Sequence, residues 1–134
     1  MIGARHIFAS NTETNDQFGA AVSLSADGNS LAVGAEFEDS NTVGVSNDGS
    51  GEADNSANSA GAVYVFSRSG VVWSQQAYVK ASNTEQGDQF GIAVSLSDDG
   101  NTLAVGANED SNAIGINGDE ANNSAGSAGA VYLY

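Results

Sequence analysis

From Phe18 to Ser25 the apolar or small positions Phe18, Ala20, Val22 and Leu24 alternate with Gly19, Ala21, Ser23 and Ser25. That is the period of a strand with one buried face. Ala26-Asp27-Gly28-Asn29 follows. Gly takes positive φ without steric cost and Asp or Asn can bond its own backbone, so a tight turn is expected there. Leu31-Ala32-Val33 is a short apolar run that reads as the second strand of a hairpin. A polar stretch rich in Asn, Ser, Asp and Gly then reads as a long surface loop. Ala62 to Phe66 is a third strand, Arg68-Ser69-Gly70 a turn, and Val72 to Ala81 a fourth strand carrying Trp73 and Tyr78. The expected unit is a four-stranded antiparallel meander, with its strands in the order A, B, C, D.

This pattern occurs twice. Ala9-Ser10-Asn11-Thr12-Glu13 returns as Ala81-Ser82-Asn83-Thr84-Glu85, and Asp16-Gln17-Phe18-Gly19 as Asp88-Gln89-Phe90-Gly91. Leu31-Ala32-Val33-Gly34-Ala35 returns as Leu103-Ala104-Val105-Gly106-Ala107, and Ala60-Gly61-Ala62-Val63-Tyr64 as Ala128-Gly129-Ala130-Val131-Tyr132. The spacing between copies is constant up to the Gly-Ala pair and slips only within the polar stretch that follows, which marks that stretch as a loop. Small residues in strand A and aromatics further out suit a propeller blade whose inner strand crowds a central axis.

Phe-Gly, then Val-Gly-Ala, then Gly-Ala-Val-Tyr, in order and twice, resembles the FG-GAP repeat. That repeat is the blade unit of integrin-type β-propellers and of many bacterial surface proteins. The resemblance rests on Phe18-Gly19, Val33-Gly34-Ala35 and Gly61 to Phe66, and on Phe90-Gly91, Val105-Gly106-Ala107 and Gly129 to Tyr134. It implies an all-β fold of two four-stranded antiparallel propeller blades, and a role in adhesion or assembly at the cell surface or outside the cell. It also raises calcium, which such blades commonly hold between strands A and B. Ca²⁺ takes six to eight oxygens. Here that connection has shrunk to Ser25 to Ser30 and Ser97 to Thr102, with too few acids for a cage. The remaining candidates are the repeated loop residues Glu38, Asp39 and Asn41, and Glu109, Asp110 and Asn112. A solvated acidic loop is the competing reading.

Arg5-His6-Ile7-Phe8-Ala9-Ser10 aligns with Ala77-Tyr78-Val79-Lys80-Ala81-Ser82, so the N-terminus reads as a D strand. The expected division is residues 1–10 as that strand, 11–81 as blade one, and 82–134 as blade two without a D strand of its own. Two blades cannot close a ring. The expectation is that Arg5, His6, Ile7 and Phe8 of one subunit pair with Val131, Tyr132, Leu133 and Tyr134 of the next. Such strand addition would cover an exposed edge. The contact is head-to-tail, so it closes as a homo-oligomeric ring or runs on as a filament. A piece of a larger propeller is a third option.

Composition narrows the function. The chain of 134 residues carries 17 acids against three bases, with a formal net charge of −14, and has neither Cys nor Pro. A disulfide framework and thiolate metal sites are excluded. Arg5, Arg68 and Lys80 form no basic surface for nucleic acid or an anionic membrane. No apolar run approaches the length of a spanning helix, and the first residues lack the apolar core of a signal peptide. His6, the lone imidazole, has no nucleophile motif to serve. The pairs Glu38/Asp39 and Asp98/Asp99 lie in loops where solvent exposure is expected. Trp73 and Tyr78 are either packing residues or a sugar-stacking platform. The reading is of a non-enzymatic, bacterial, extracellular interaction scaffold with a protein or glycan ligand, a structural filament subunit and a carbohydrate-binding propeller being the alternatives.

Overall fold

The computed structural model describes residues 3–134; Met1 and Ile2, part of the expected N-terminal strand, lie outside them. Eight strands follow in chain order: β1 (Ala21–Leu24), β2 (Ser30–Ala35), β3 (Val45–Ser46), β4 (Ala62–Ser69), β5 (Val72–Val79), β6 (Ala93–Leu96), β7 (Leu103–Ala107) and β8 (Ala130–Leu133). They form one five-stranded sheet in the order β1-β2-β4-β5-β3 and one three-stranded sheet in the order β6-β7-β8. Strands A to D of the first repeat are thus β1, β2, β4 and β5. β3 lies inside the long polar stretch, where the sequence pattern predicts only loop. Val45 and Ser46 pair with Val79 and Tyr78 and cover the outer edge of β5.

The two A–B turns are built alike. Asp27 Oδ1 accepts the Ser25 hydroxyl at 2.6 Å and the Asn29 N–H at 2.9 Å. Asp99 Oδ1 accepts Ser97 at 2.6 Å and the Asn101 N–H at 3.1 Å. An Asp that folds back on its own turn replaces the backbone partners that a hairpin tip loses.

The sheets pack face to face. Ala32, Val63 and Val79 of the first sheet meet Leu103, Val105 and Phe90, with Val94 and Leu96 filling the margin. The opposite face of the first sheet carries Val33, Tyr64, Phe66 and Tyr78, covered by Phe18, Ile7, Ala9 and Trp73. The glycines of the repeated motif set how closely the sheets approach. A Cβ on Gly34 would collide with the Gly91 carbonyl oxygen, and one on Gly61 (φ +82°) with the Phe90 backbone. A Cβ on Gly91 (φ +94°) would lie 2.6 Å from the Ala62 carbonyl oxygen. Gly61 and Phe90 form a parallel bridge at this contact. The Phe-Gly of one repeat therefore seats on the two Gly-Ala elements of the other.

Two expectations are corrected. Neither sheet closes or curls, so the architecture is two open, stacked sheets of five and three strands, not propeller blades completed in trans. Residues 3–9 form no strand. Ile7 and Ala9 instead bury against the first sheet of their own chain, where apolar surface is gained directly. Chemistry also opposes the expected donation. In the aligned register Phe8 stands where Lys80 stands in β5's continuation, and a phenyl ring offers nothing to a buried carboxylate. In the first strand, moreover, Val22 and Leu24 are exposed, although their counterparts Val94 and Leu96 pack between the sheets. The periodicity was legible, but only a neighbouring repeat buries the apolar face, and no described residues cover that side of the first repeat.

Gly19 (φ +99°) matches Gly91 in backbone conformation but has open space where its Cβ would sit. Gly91→Ala adds a backbone collision to the same φ strain. It should lower unfolding free energy by at least about 1 kcal/mol more than Gly19→Ala in urea denaturation.

Candidate interaction surface

Each long loop is anchored by one buried glutamate. Glu38 follows β2 and is 1% exposed. Its Oε2 accepts Lys80 Nζ at 2.8 Å and the Ser40 N–H at 3.1 Å, and its Oε1 accepts the Tyr78 hydroxyl at 2.6 Å. Both members of the ion pair are fully enclosed. A buried carboxylate needs several donors to offset its lost hydration, and here it has three. Burial pushes the Lys80 ammonium below its ordinary pKa, a shift that Glu38 opposes. Burial, with Glu38 next, raises the Tyr78 hydroxyl far above its own.

Glu109, the counterpart in the second repeat, is equally buried. It accepts Asn83 Nδ2 at 3.0 Å, and the Tyr132 hydroxyl lies 3.0 Å away. No cation reaches it among the described residues. Burial accordingly raises its pKa, against the two hydrogen bonds.

The loops are closed by a second repeated set. Asp39 Oδ1 accepts the Ser59 N–H at 2.7 Å, and Asp110 Oδ1 accepts that of Ser127. Asn11 Nδ2 donates to the Glu52 carbonyl at 2.6 Å, and Asn83 Nδ2 to that of Glu120 at 2.9 Å. The Asn41 N–H donates to Asp54 at 2.7 Å, and the Asn112 N–H to the Asn122 carbonyl at 3.3 Å. These loops are therefore ordered surfaces. Sequence reasoning missed the parts played by Glu52, Glu120 and Lys80. The usable signals were the recurrence of Ser-Asn before each repeat and a single Lys in the whole chain.

The metal candidates are not brought together. Glu38, Asp39, Glu109 and Asp110 each face different protein donors, and Asn41 and Asn112 engage through their backbones. Among the described residues no group of three or more His, Cys, Asp or Glu is arranged to hold a metal. The A–B turns fit calcium no better, since Asp27 and Asp99 are already satisfied by their own turns. Glu38 and Glu109 also depart from the expectation of solvated loop acids, whereas Asp98 and Asp99 are exposed.

Of the expected interface residues, Arg5, His6, Ile7 and Phe8 lie along a groove of about 500 Å³ against Phe66 and Trp73. Val131 and Leu133 are exposed on β8, while Tyr132 and Tyr134 pack edge-on against Phe90 at 5.4 and 6.2 Å. Trp73 packs partly against the first sheet, with the Arg68 guanidinium 5.7 Å from its ring centre.

The model of the FG-GAP repeat matches residues 4–66 and again 73–134. The chain belongs to the FG-GAP repeat family. Comparison with curated proteins and with solved structures returns no match. The FG-GAP pair is a β-sheet domain, a build consistent with an adhesion-related role. No helix among its described residues is long and apolar enough to cross a membrane.

Two predictions concern this surface. Asp16 and Asp88 precede the two Phe-Gly pairs and are buried, and burial raises each carboxyl to about 6, with Glu38 adding to the effect at Asp16 and Glu109 at Asp88. A raised folded-state pKa means that the native protein binds more protons between about 3.8 and 6, so stability falls as pH rises through that window. The Tm should therefore rise by about 2–5 °C from pH 7 to pH 5, and an Asp16→Asn/Asp88→Asn variant should lose most of that rise in calorimetry. Secondly, millimolar CaCl₂ in place of EDTA should move the Tm by less than about 1 °C, because a ligand stabilises only through a site that binds it.

Proposed function

We propose that this FG-GAP domain is an extracellular adhesion-type interaction module that meets its partner through the two long loops. The observation that carries this reading is their construction. Both repeats pin a long acidic loop with the same buried glutamate and the same Asp-to-backbone closure, and both hold apolar residues in the open at the turn of the loop. Val43 and Val45 are exposed in the first, Ile114 and Ile116 in the second. An ordered loop spends little entropy on binding, and an apolar tip within an acidic surround suits a protein partner with a basic rim. Two such loops on one chain also offer avidity.

A glycan ligand is a second reading, favoured by one feature. The groove beside Trp73 is flanked by the His6 and Phe8 rings, stacked at 6.5 Å, with Arg5 and Gln75 as polar neighbours. Apolar walls with a few polar groups are the usual build of a small-ligand site.

An array of extracellular proteins and glycans, probed with the labelled domain, tests both. Ile114→Ser/Ile116→Ser should keep the Tm within about 2 °C and lower protein-spot binding at least about fivefold. Loss of glycan spots on Trp73→Ala, with protein spots absent throughout, would replace the first reading with the second. Binding to neither class would overturn both.

A further inference from the structure

In a chain this acidic, the places that keep a positive charge are informative. Seventeen acids face three bases and one His. Lys80 is enclosed and paired with Glu38. Arg5 and Arg68 are exposed, and neither lies within ion-pair distance of a carboxylate among the described residues. Both stand at one place. Arg5 lines the groove of about 500 Å³ beside Trp73, and the Arg68 guanidinium lies over the Trp73 ring, 5.7 Å from its centre. His6 lines the same groove, and no acid does. The exposed basic side chains of the described residues are thus gathered around the chain's one Trp.

Local packing keeps these charges available. Arg68 and Trp73 pair across β4 and β5. Asn29 Oδ1 accepts Arg68 Nε at 3.2 Å and Nη2 at 3.1 Å, so an amide holds the guanidinium and leaves its charge unneutralised. Asp27, two residues before Asn29, is satisfied by its own turn. Gln75 is fixed by Glu52, to which its Nε2 donates at 2.6 Å, and its amide oxygen has no partner among the described residues. The rest of the lining is apolar and flat. Trp73 is half-buried, and the His6 and Phe8 rings stack at the mouth. A guanidinium fork takes a carboxylate through two parallel hydrogen bonds, and an aromatic ring takes the C–H face of a sugar. Two guanidiniums are too few to hold a phosphate backbone.

We infer that this groove binds an acidic oligosaccharide, a chain bearing uronic-acid carboxylates, with a sugar ring against Trp73 and carboxylates on Arg5 and Arg68. The inference deepens the glycan reading of the groove and rests on it. The net charge of −14 repels a distant anion, so recognition acts at contact and not through long-range steering.

The test is calorimetric titration of the whole chain at about 150 mM NaCl, where repulsion from remote charges is screened beyond about 8 Å. The probes are tetrasaccharides of galacturonate, glucuronate and mannuronate, each beside its carboxyl-reduced, neutral form. At least one uronate should bind, and its neutral form should bind at least about tenfold more weakly. Arg5→Gln and Arg68→Gln should each weaken the uronate at least about threefold, leave the neutral form unchanged, and keep the Tm within about 2 °C, since both side chains are exposed. A polyglutamate peptide of equal charge should bind at least about tenfold more weakly than the uronate, because it offers no sugar face to Trp73. Neutral forms binding as tightly as the uronates would overturn the inference and leave the glycan reading standing. Absence of binding by either form at millimolar sugar would overturn both. Polyglutamate binding as tightly as the uronate would overturn the inference by making the groove a general anion patch.

Discussion

A carboxylate buried under each long loop is the constraint around which the rest of this structure is arranged. Glu38 cannot leave water without donors, and the fold supplies them from three separate places: the loop's own backbone, β5 and the residue beyond β5. That one group ties the strand before the loop to the segment that leads into the second repeat. Breaking one side of such a pair leaves a charge stranded in an apolar surround. In the second repeat no ammonium reaches the same residue among the described residues, and Asn83 and Tyr132 hydrogen-bond it. Identical local sequence therefore yields two electrostatic settings, because the partners come from elements far along the chain.

Close backbone approach is the second constraint. The Phe-Gly and Gly-Ala elements that define the repeat are separated in sequence and meet between repeats, where Gly91 lies over Gly34 and Ala62, and Phe90 over Gly61. The aromatic ring of each Phe-Gly is then held against its own sheet, Phe18 by Tyr64 and Phe66, and Phe90 by Tyr132 and Tyr134. Glycine supplies the nearness and phenylalanine the buried area. A family motif that looks like a label in the sequence is, physically, a repeat-to-repeat contact. Its outward-facing copy at Gly19 and Val22 has no such cover.

Function follows from what these constraints leave on the surface. The loop acids Glu38, Asp39, Glu109 and Asp110 satisfy the protein's own donors and so order the two loops. With the loops ordered, the exposed Val43, Val45, Ile114 and Ile116 are presented from fixed positions.

The sequence alone determined the repeat, the A to D strand order of the first unit, the Asp-Gly turns and the family, because strand period, turn chemistry and motif spacing are local properties. It also marked the long polar stretch as the place where length varies. It did not determine whether the sheets close, where the leading segment lies, or which acids are buried. Those depend on which surfaces meet across the chain: Ile7 finds apolar area on the first sheet, and Lys80 crosses to Glu38. Periodicity placed Val22 and Val94 alike, but only stacking decided that one is exposed and the other packed. Burial is a property of neighbours, and neighbours are chosen by the tertiary fold.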